Sequence, residues 1–223
     1  MTHTIEDMAT TEASARELRA DAQRNRERII AAAIDVFAES GLEASTAEIA
    51  QRAGVGEATL FRRFPSKGDL IQAIVETQME SVIEIATDCL TDPDPGQGLE
   101  RFLTEMVERA VADRGVLESA KDTCMTSKAL EENRRQILNL MTSLVKRAQE
   151  VGAVRSDLAG QDLGLLIGCA AAAGEIPFPG LRDDLWKRYL QIILDGLRPV
   201  GATKLRPGPP ARRLFENPDC RAS

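Results

Sequence analysis

The sequence predicts an all-α protein in which an N-terminal domain of three short helices is joined by a long helix to a C-terminal helical bundle. Two observations predict this class. Aromatic residues make up only 4% of the 223 residues, and the apolar 43% is dominated by Ala, Leu and Ile, a bias that favours helices over strands. Apolar residues also recur at spacings of 3 and 4 along most of the chain, and no segment shows a competing strand pattern.

The first helix is predicted over residues 25–40. Its apolar residues share one helical face: Ile29, Ile30, Ala33, Ile34 and Phe37. Gly41 follows as the expected C-terminal breaker. Residues 1–20 are charged and lack an apolar stripe, which predicts a flexible arm.

The next two helices are marked by their ends. Ser45 and Glu48 fit a capping box, which predicts a second helix over residues 46–53. The sequence Gly54-Val55-Gly56 breaks that helix, and a third helix is predicted over residues 57–64, before Pro65. This helix, glycine turn, helix spacing is what a helix-turn-helix requires, although plain three-helix bundles share it.

A second capping box, from Ser66 to Asp69, opens a long fourth helix that runs to about Leu90. Further helices are predicted over residues 98–114, 116–123, 129–151, 160–173 and 182–197. Five prolines after residue 198 predict a disordered tail over residues 199–223.

The net charge of −7 is unevenly distributed, because a short basic segment interrupts an acidic chain. Between residues 52 and 67, Glu57 is the only acid, against four bases: Arg52, Arg62, Arg63 and Lys67. A local basic patch can hold phosphates although the whole protein is acidic. The acidic balance therefore does not exclude DNA binding.

Enzyme, metal and membrane functions find no support in the sequence. The only histidine, His3, lies in the expected arm, the cysteines form no C-x-x-C pair, and no phosphate-binding glycine loop occurs. We therefore expect no catalytic site, no metal and no cofactor. No signal peptide and no membrane-spanning stretch is evident, so a cytoplasmic protein is expected.

The segment from Arg26 to Val75 resembles the DNA-binding domain of the TetR family of transcriptional regulators. The family pattern is matched, in order, at Phe37, Gly41, Thr46, Ile49, Ala50, Ala53, Gly54, Val55, Thr59, Leu60, Phe64, Ser66 and Lys67. The resemblance implies a helix-turn-helix domain over residues 21–70 and an effector-binding and dimerisation domain over residues 71–198. It also implies a homodimeric repressor released from a palindromic operator by an unknown small molecule.

The resemblance assigns DNA-binding roles to two sets of residues. Thr46 and Lys67 would contact phosphates from two helix N-termini. The residues expected to face the groove or its walls are Glu57, Ala58, Thr59, Arg62 and Arg63. Arg62 or Arg63 would bind a guanine, with phosphate neutralisation as the favoured alternative for Arg63.

Two positions of the third helix leave alternatives open. Phe61 stands where the family usually has Tyr, so it either takes part in DNA binding or serves only as packing. Glu57 either complements the helix dipole or accepts a hydrogen bond from cytosine. Both departures leave a second hypothesis, a helical protein-interaction module that has lost operator binding.

In the second domain the resemblance implies an effector pocket and a dimer interface. Candidate pocket residues, which could equally be ordinary core, are Phe102, Met106, Met125 and Met141. Candidate interface residues, which are small or apolar and lie on the last two helices, are Gly164, Gly168, Leu185, Tyr189, Ile192 and Ile193. The expected partners are thus operator DNA, a second copy of the chain and the effector, with no membrane.

Overall fold

A computed structural model describes residues 3–41, 43–112, 127–173 and 184–216, with side chains from residue 20 onward. The described residues form nine helices and no strand, which confirms the all-α prediction. The helices are α1 (His3–Ser40), α2 (Thr46–Ala53), α3 (Glu57–Arg63), α4 (Lys67–Leu90), α5 (Pro95–Ala112), α6 (Lys128–Glu150), α7 (Gly160–Ala172), α8 (Leu185–Leu197) and α9 (Arg213–Glu216). The helix predicted over residues 116–123 lies outside the described residues.

The chain divides into two compact units, Met1–Ile74 and Val75–Ser223. The boundary lies after residue 74, whereas the resemblance placed it after residue 70. Within the described residues, no helix is both long and apolar enough to cross a membrane.

Helix α1 corrects the predicted start of the first helix at residue 25, because it begins at His3 and continues without a break to Ser40. Residues 3–40 contain neither Gly nor Pro and are rich in Ala, Glu and Arg, which have high helix propensity. The absence of an apolar stripe in the first 20 residues was therefore a poor guide to their secondary structure. High helix propensity is sufficient to extend α1 to His3, because adding a residue to an existing helix is much easier than starting a new one.

The core of the first unit is formed by the predicted faces of α1 and α2. Ile29, Ala33 and Phe37 of α1 are buried, as are Ile49 and Ala50 of α2. Both capping boxes have the expected hydrogen bonds at their serines: Ser45 Oγ accepts from the Glu48 N–H at 3.2 Å, and Ser66 Oγ accepts from the Asp69 N–H at 3.1 Å. In the second box the Asp69 carboxylate also accepts from the Ser66 N–H at 3.0 Å. These caps fix where α2 and α4 begin.

The turn between α2 and α3 favours glycine at position 54, because Gly54 has a φ of 65°, a left-handed conformation that other residues adopt only at a cost. A Cβ atom at this position would also lie 2.6 Å from Nη2 of Arg28, but that atom is the end of a flexible side chain and can move aside. Val55, the apolar residue between the two glycines, is half-buried in the same turn.

The second unit has a single apolar core shared by α4 to α8. Buried members come from each of these helices, for example Ala86, Phe102, Leu144, Leu163 and Leu190. At the C-terminal end of α4, Arg147 of α6 donates to the main-chain oxygens of Leu90 and Asp92. Arg147 therefore satisfies carbonyl groups that the end of a helix leaves without a partner.

The tail corrects a second expectation, because residues 199–216 pack on the second unit instead of extending as a disordered end. Helix α9 packs on α6, where Arg212 donates to Asn139 Oδ1 at 2.8 Å. Phe215 packs against the core of the unit. The stretch from Ala211 to Asn217 contains no proline, so one helical turn is possible there, and Phe215 supplies an apolar anchor.

Candidate nucleic-acid interface

Helix α3 carries the exposed surface of the first unit that best fits DNA. Its buried residue is Leu60, whereas Glu57, Ala58, Phe61, Arg62 and Arg63 are all exposed and Thr59 is half-buried. The acid lies in the first turn and both arginines in the last, which complements the helix dipole at each end. Every residue that the sequence predicts to face the groove is thus at least partly accessible.

An open cavity of about 350 Å³ separates α3 from α1. It is lined by Asp21, Ala22, Asn25, Thr59, Arg62 and Arg63. The two guanidinium groups therefore border the same cavity as the Asn25 amide and the Asp21 carboxylate. Asp21 and Asn25 could not be predicted as part of the site, because residues 1–20 were expected to form an arm and Asn25 only the start of the first helix.

A second open groove, of about 490 Å³, lies on the other side of α3, against α2. Its lining residues are Ser45, Ala47, Glu48, Ala50, Gln51, Val55 and Glu57. Glu48 and Glu57 give this side a negative character, in contrast to the arginine side. The charge on α3 is therefore polarised across the helix.

The basic patch predicted from the sequence is smaller in the folded protein. Arg52 forms a bidentate ion pair with Glu39, at 2.6 and 2.7 Å. Hydrogen bonds from this guanidinium lower the pKa of the Glu39 carboxyl. The sequence count missed Glu39 because it lies 13 residues away along the chain. Arg62 and Arg63 are therefore the basic residues of the patch that α3 itself presents.

The two residues predicted to contact phosphates lie at helix N-termini, as expected. Thr46 is the first residue of α2 and is half-buried beside the Ser45 cap. Lys67 is the first residue of α4, and its Nζ donates to the Ala44 carbonyl at 2.9 Å and lies 5.7 Å from the centre of the Phe37 ring. Lys67 thus links the loop before α2 to the start of α4. Phosphate contact by either residue stays a prediction.

The predicted effector pocket residues in the described chain are part of the hydrophobic core. Phe102, Met106 and Met141 are all buried there, and Met125 lies outside the described residues. A cavity of about 260 Å³ in this unit is bordered by other residues, including Leu99, Leu197 and Arg198, and one of about 350 Å³ by Arg155, Asp157 and Lys204 among others. The pocket assignment stays a prediction.

The predicted dimer residues lie on a surface that the protomer leaves largely uncovered. Gly164 and Gly168 of α7 are exposed, as are Tyr189 and Ile192 of α8, whereas Leu185 and Ile193 are half-buried. Leu165, which the prediction omitted, is 52% exposed on α7. We refer to the exposed small and apolar residues of these two helices, Gly164, Leu165, Gly168, Tyr189 and Ile192, as the α7–α8 face. No ligand set of three or more His, Cys, Asp or Glu side chains occurs in the part of the chain that the structure describes.

These features define a helical DNA-binding protein: two helices joined by a glycine turn, the second of which presents arginines to solvent, followed by a separate helical unit. Comparison with known proteins identifies the family within this class. A family model described as "Bacterial regulatory proteins, tetR family" matches residues 29–74. A second, described as "Transcriptional regulator SbtR-like, C-terminal domain", matches residues 94–199.

Solved structures agree with both matches. The TetR transcription regulatory protein from Mycobacterium vanbaalenii is 32% identical, with a TM-score of 0.64 over 81% of this chain and 99% of that one. The TetR regulator SCO0520 from Streptomyces coelicolor is 29% identical, with a TM-score of 0.63 over 79% of this chain and 99% of that one. FadR from Bacillus subtilis, solved in complex with stearoyl-CoA, shares the fold at 18% identity, with a TM-score of 0.59 over 77% of this chain and 99% of that one. The chain belongs to the TetR family of DNA-binding transcriptional regulators.

Proposed function

We propose that this chain is a cytoplasmic homodimeric repressor, which binds a palindromic operator through two copies of α3 and leaves it when a small molecule binds to the second unit. The observation that carries the proposal is the exposed surface of α3, on which Phe61, Arg62 and Arg63 are all accessible to solvent. A guanidinium fork matches O6 and N7 of guanine in the major groove, and it also neutralises phosphate. One short helix reads few base pairs, so two copies on two half-sites are needed for specificity.

The two arginines have different proposed roles. We assign Arg62 to a guanine and Arg63 to a phosphate, with Thr46 and Lys67 as further phosphate contacts. A guanine contact affects sequence preference, whereas a phosphate contact affects mainly the dependence of affinity on salt. Glu57, on the opposite side of α3, disfavours phosphate there and restricts how the helix can be oriented in the groove.

Dimerisation is supported by the α7–α8 face, which exposes Leu165, Tyr189 and Ile192. Large apolar side chains grouped on one surface indicate a protein interface. Ligand control is supported by the second unit as a separate compact body, and FadR shows that this fold accommodates a ligand. The chemical class of the effector is left to a screen.

The test is binding of the full-length protein to the DNA that flanks its own coding region, measured by fluorescence anisotropy at two salt concentrations. The variant Arg62→Ala/Arg63→Ala should lose about 100-fold or more in affinity, because a bidentate base contact alone contributes about 1–3 kcal/mol in each half-site. The matched control is Arg134→Ala/Arg135→Ala, which removes the same adjacent pair of charges from α6.

The single variants separate the two roles. Arg62→Ala should flatten the preference for the operator over scrambled DNA, and Arg63→Ala should mainly reduce the salt slope. Saturable binding of two protomers to one palindrome, with an intact control, supports the proposal. Weak binding that is indifferent to sequence and to both double variants, also on a wider pool of genomic fragments, would instead favour a helical interaction protein.

A further inference from the structure

Phe61 is the one large apolar side chain of the first unit that is exposed, among those whose side chains the structure describes. Its side chain is 44% exposed, whereas the rings of Phe37 and Phe64 in the same unit are 1% and 5% exposed. Leaving a phenylalanine in water forgoes much of the free energy gained by burying it. Packing accounts for the covered part of the ring, and the exposed part is available for contact with a partner.

The ring lies on the face of α3 that the operator-binding proposal uses. Ala58 is one turn before Phe61, and residues three apart are neighbours on a helix surface, so these two exposed side chains form a short apolar strip. Arg62 follows immediately and is exposed as well. Consecutive residues point about 100° apart on a helix, so the guanidinium and the apolar strip lie on neighbouring parts of the exposed surface.

The major groove contains one apolar group on the base edges, the C5-methyl of thymine, and Phe and Ala side chains contact it. A phenylalanine ring has no hydroxyl, so it cannot donate a hydrogen bond to a phosphate as a tyrosine would. Charged phosphates and the polar edges of the other bases do not compensate for the desolvation of a ring. Thymine is therefore the partner in DNA whose chemistry fits this side chain.

We propose that Phe61, flanked by Ala58, is a specificity-determining residue that reads a thymine methyl group in each operator half-site. The inference rests on the proposed operator binding and extends it, because it names a base and the atom that is read. It also predicts where the thymine lies: within reach of the base pair that Arg62 contacts, since the two residues are adjacent on α3.

Deoxyuridine substitution tests this directly, because it removes the methyl group and leaves the base pair intact. Each thymine of the operator is replaced by deoxyuridine symmetrically in both half-sites, and the affinity of the full-length protein is measured by anisotropy. For one position, the wild-type protein should lose about 4-fold per half-site, the equivalent of one buried methyl-sized group. With Phe61→Ala, the same substitution should change the affinity by less than 2-fold.

Two further variants keep the test specific. Arg63→Ala binds more weakly but retains the ring, so it should keep the wild-type sensitivity to deoxyuridine. Phe61→Leu retains an apolar side chain and should keep part of the sensitivity to deoxyuridine. Thermal unfolding of each variant checks that α3 is still folded.

The outcomes separate this proposal from the one on which it rests. If the wild-type protein binds a palindrome but no deoxyuridine substitution weakens it, Phe61 does not read thymine. The same conclusion follows if the substitution weakens Phe61→Ala as much as wild type, because the two losses are then independent. A wild-type protein that binds no operator at all overturns both proposals.

Discussion

Helices α3 and α7 both expose side chains to solvent but differ in charge, whereas α8 beside α7 also exposes Lys187, Arg188 and Asp195. Three of the five exposed residues of α3 are charged, and its single exposed ring lies among them. The exposed residues of α7 carry no charge: Gly164, Leu165, Gly168, Cys169 and Ala172. A surface that mixes arginines with one ring suits a polyanion with occasional methyl groups, whereas an uncharged surface of small and apolar residues suits another helix.

Exposure by itself therefore says little about a partner. What distinguishes α3 from α7 is whether charged residues accompany the exposed apolar ones.

Introducing a charge into the α7–α8 face should have the largest effect. In Ile192→Glu the new carboxylate replaces a side chain that is 56% exposed in the protomer, so the subunit should fold normally. In a dimer the carboxylate would be buried near its symmetry copy, which is strongly unfavourable. Sedimentation should therefore show monomers, and operator affinity should fall about 100-fold or more, because the second half-site is no longer bound by a linked copy.

Gln136→Glu is the matched control, since it adds the same charge to an exposed position of α6. It should leave both the dimer and operator binding unchanged. A dimeric Ile192→Glu protein would show that the interface lies elsewhere.

Two glycines of α7, about two turns apart, should respond differently to the same small change. A Cβ atom at Gly160 would lie 2.8 Å from the backbone N and Cα of Thr142 on α6, so Gly160→Ala should destabilise the subunit by about 1–3 kcal/mol. Gly168 has nothing within 4 Å of such an atom, and Gly168→Ala should be neutral or stabilising by up to about 1 kcal/mol. Urea unfolding in the Ile192→Glu background measures the subunit alone.

In the dimeric wild-type background, Gly168→Ala should no longer be neutral. If a second copy packs closely on Gly168, this substitution weakens the dimer although it does not destabilise the subunit. A Gly160→Ala subunit as stable as its parent would contradict the close contact of α6 and α7.

The smallest effect is expected at Asp157, which precedes α7 and accepts a hydrogen bond from the Leu205 N–H of the tail. Arg155 donates to its carboxylate at 2.7 Å and the Leu205 N–H at 2.8 Å, which hold the pKa of Asp157 well below its usual range. Because the folded pKa is lowered, this contribution to stability is complete above the unfolded pKa of about 4 and is lost as pH falls through the folded value.

Asp157→Asn should therefore lower the melting temperature slightly at pH 7, and the difference from wild type should shrink below about pH 4. Thermal unfolding across this range measures it, with the exposed neighbour Ser156→Ala as control. A difference that stays constant with pH would mean that the carboxylate does not contribute through its charge.

Local signals in the sequence were sufficient for much of the fold and for part of the site. The predicted bounds of the second helix, residues 46–53, are confirmed, because a serine cap and a glycine turn define its two ends. The groove-facing residues of α3 could also be predicted, since a seven-residue helix with one buried leucine has few alternatives for its exposed face.

Other features depend on residues far apart in the sequence. The ion pair between Arg52 and Glu39 removes one free positive charge from the basic patch. The cavity that Asp21 and Arg62 border is lined by residues of both α1 and α3. The tail was expected to be disordered from its prolines, yet Phe215 and Arg212 bind it to helices formed more than 50 residues earlier. Contacts between residues so far apart cannot be predicted from the composition of a short segment.

The sequence by itself determined the all-α class, the helix-turn-helix and the family, because caps, glycine turns and apolar periodicity act over a few residues. Only the tertiary structure decided that the Phe61 ring is left in solvent and that Leu165 lies on an uncharged face. The burial of a side chain depends on which distant helices cover it, and these long-range contacts exist only in the folded protein.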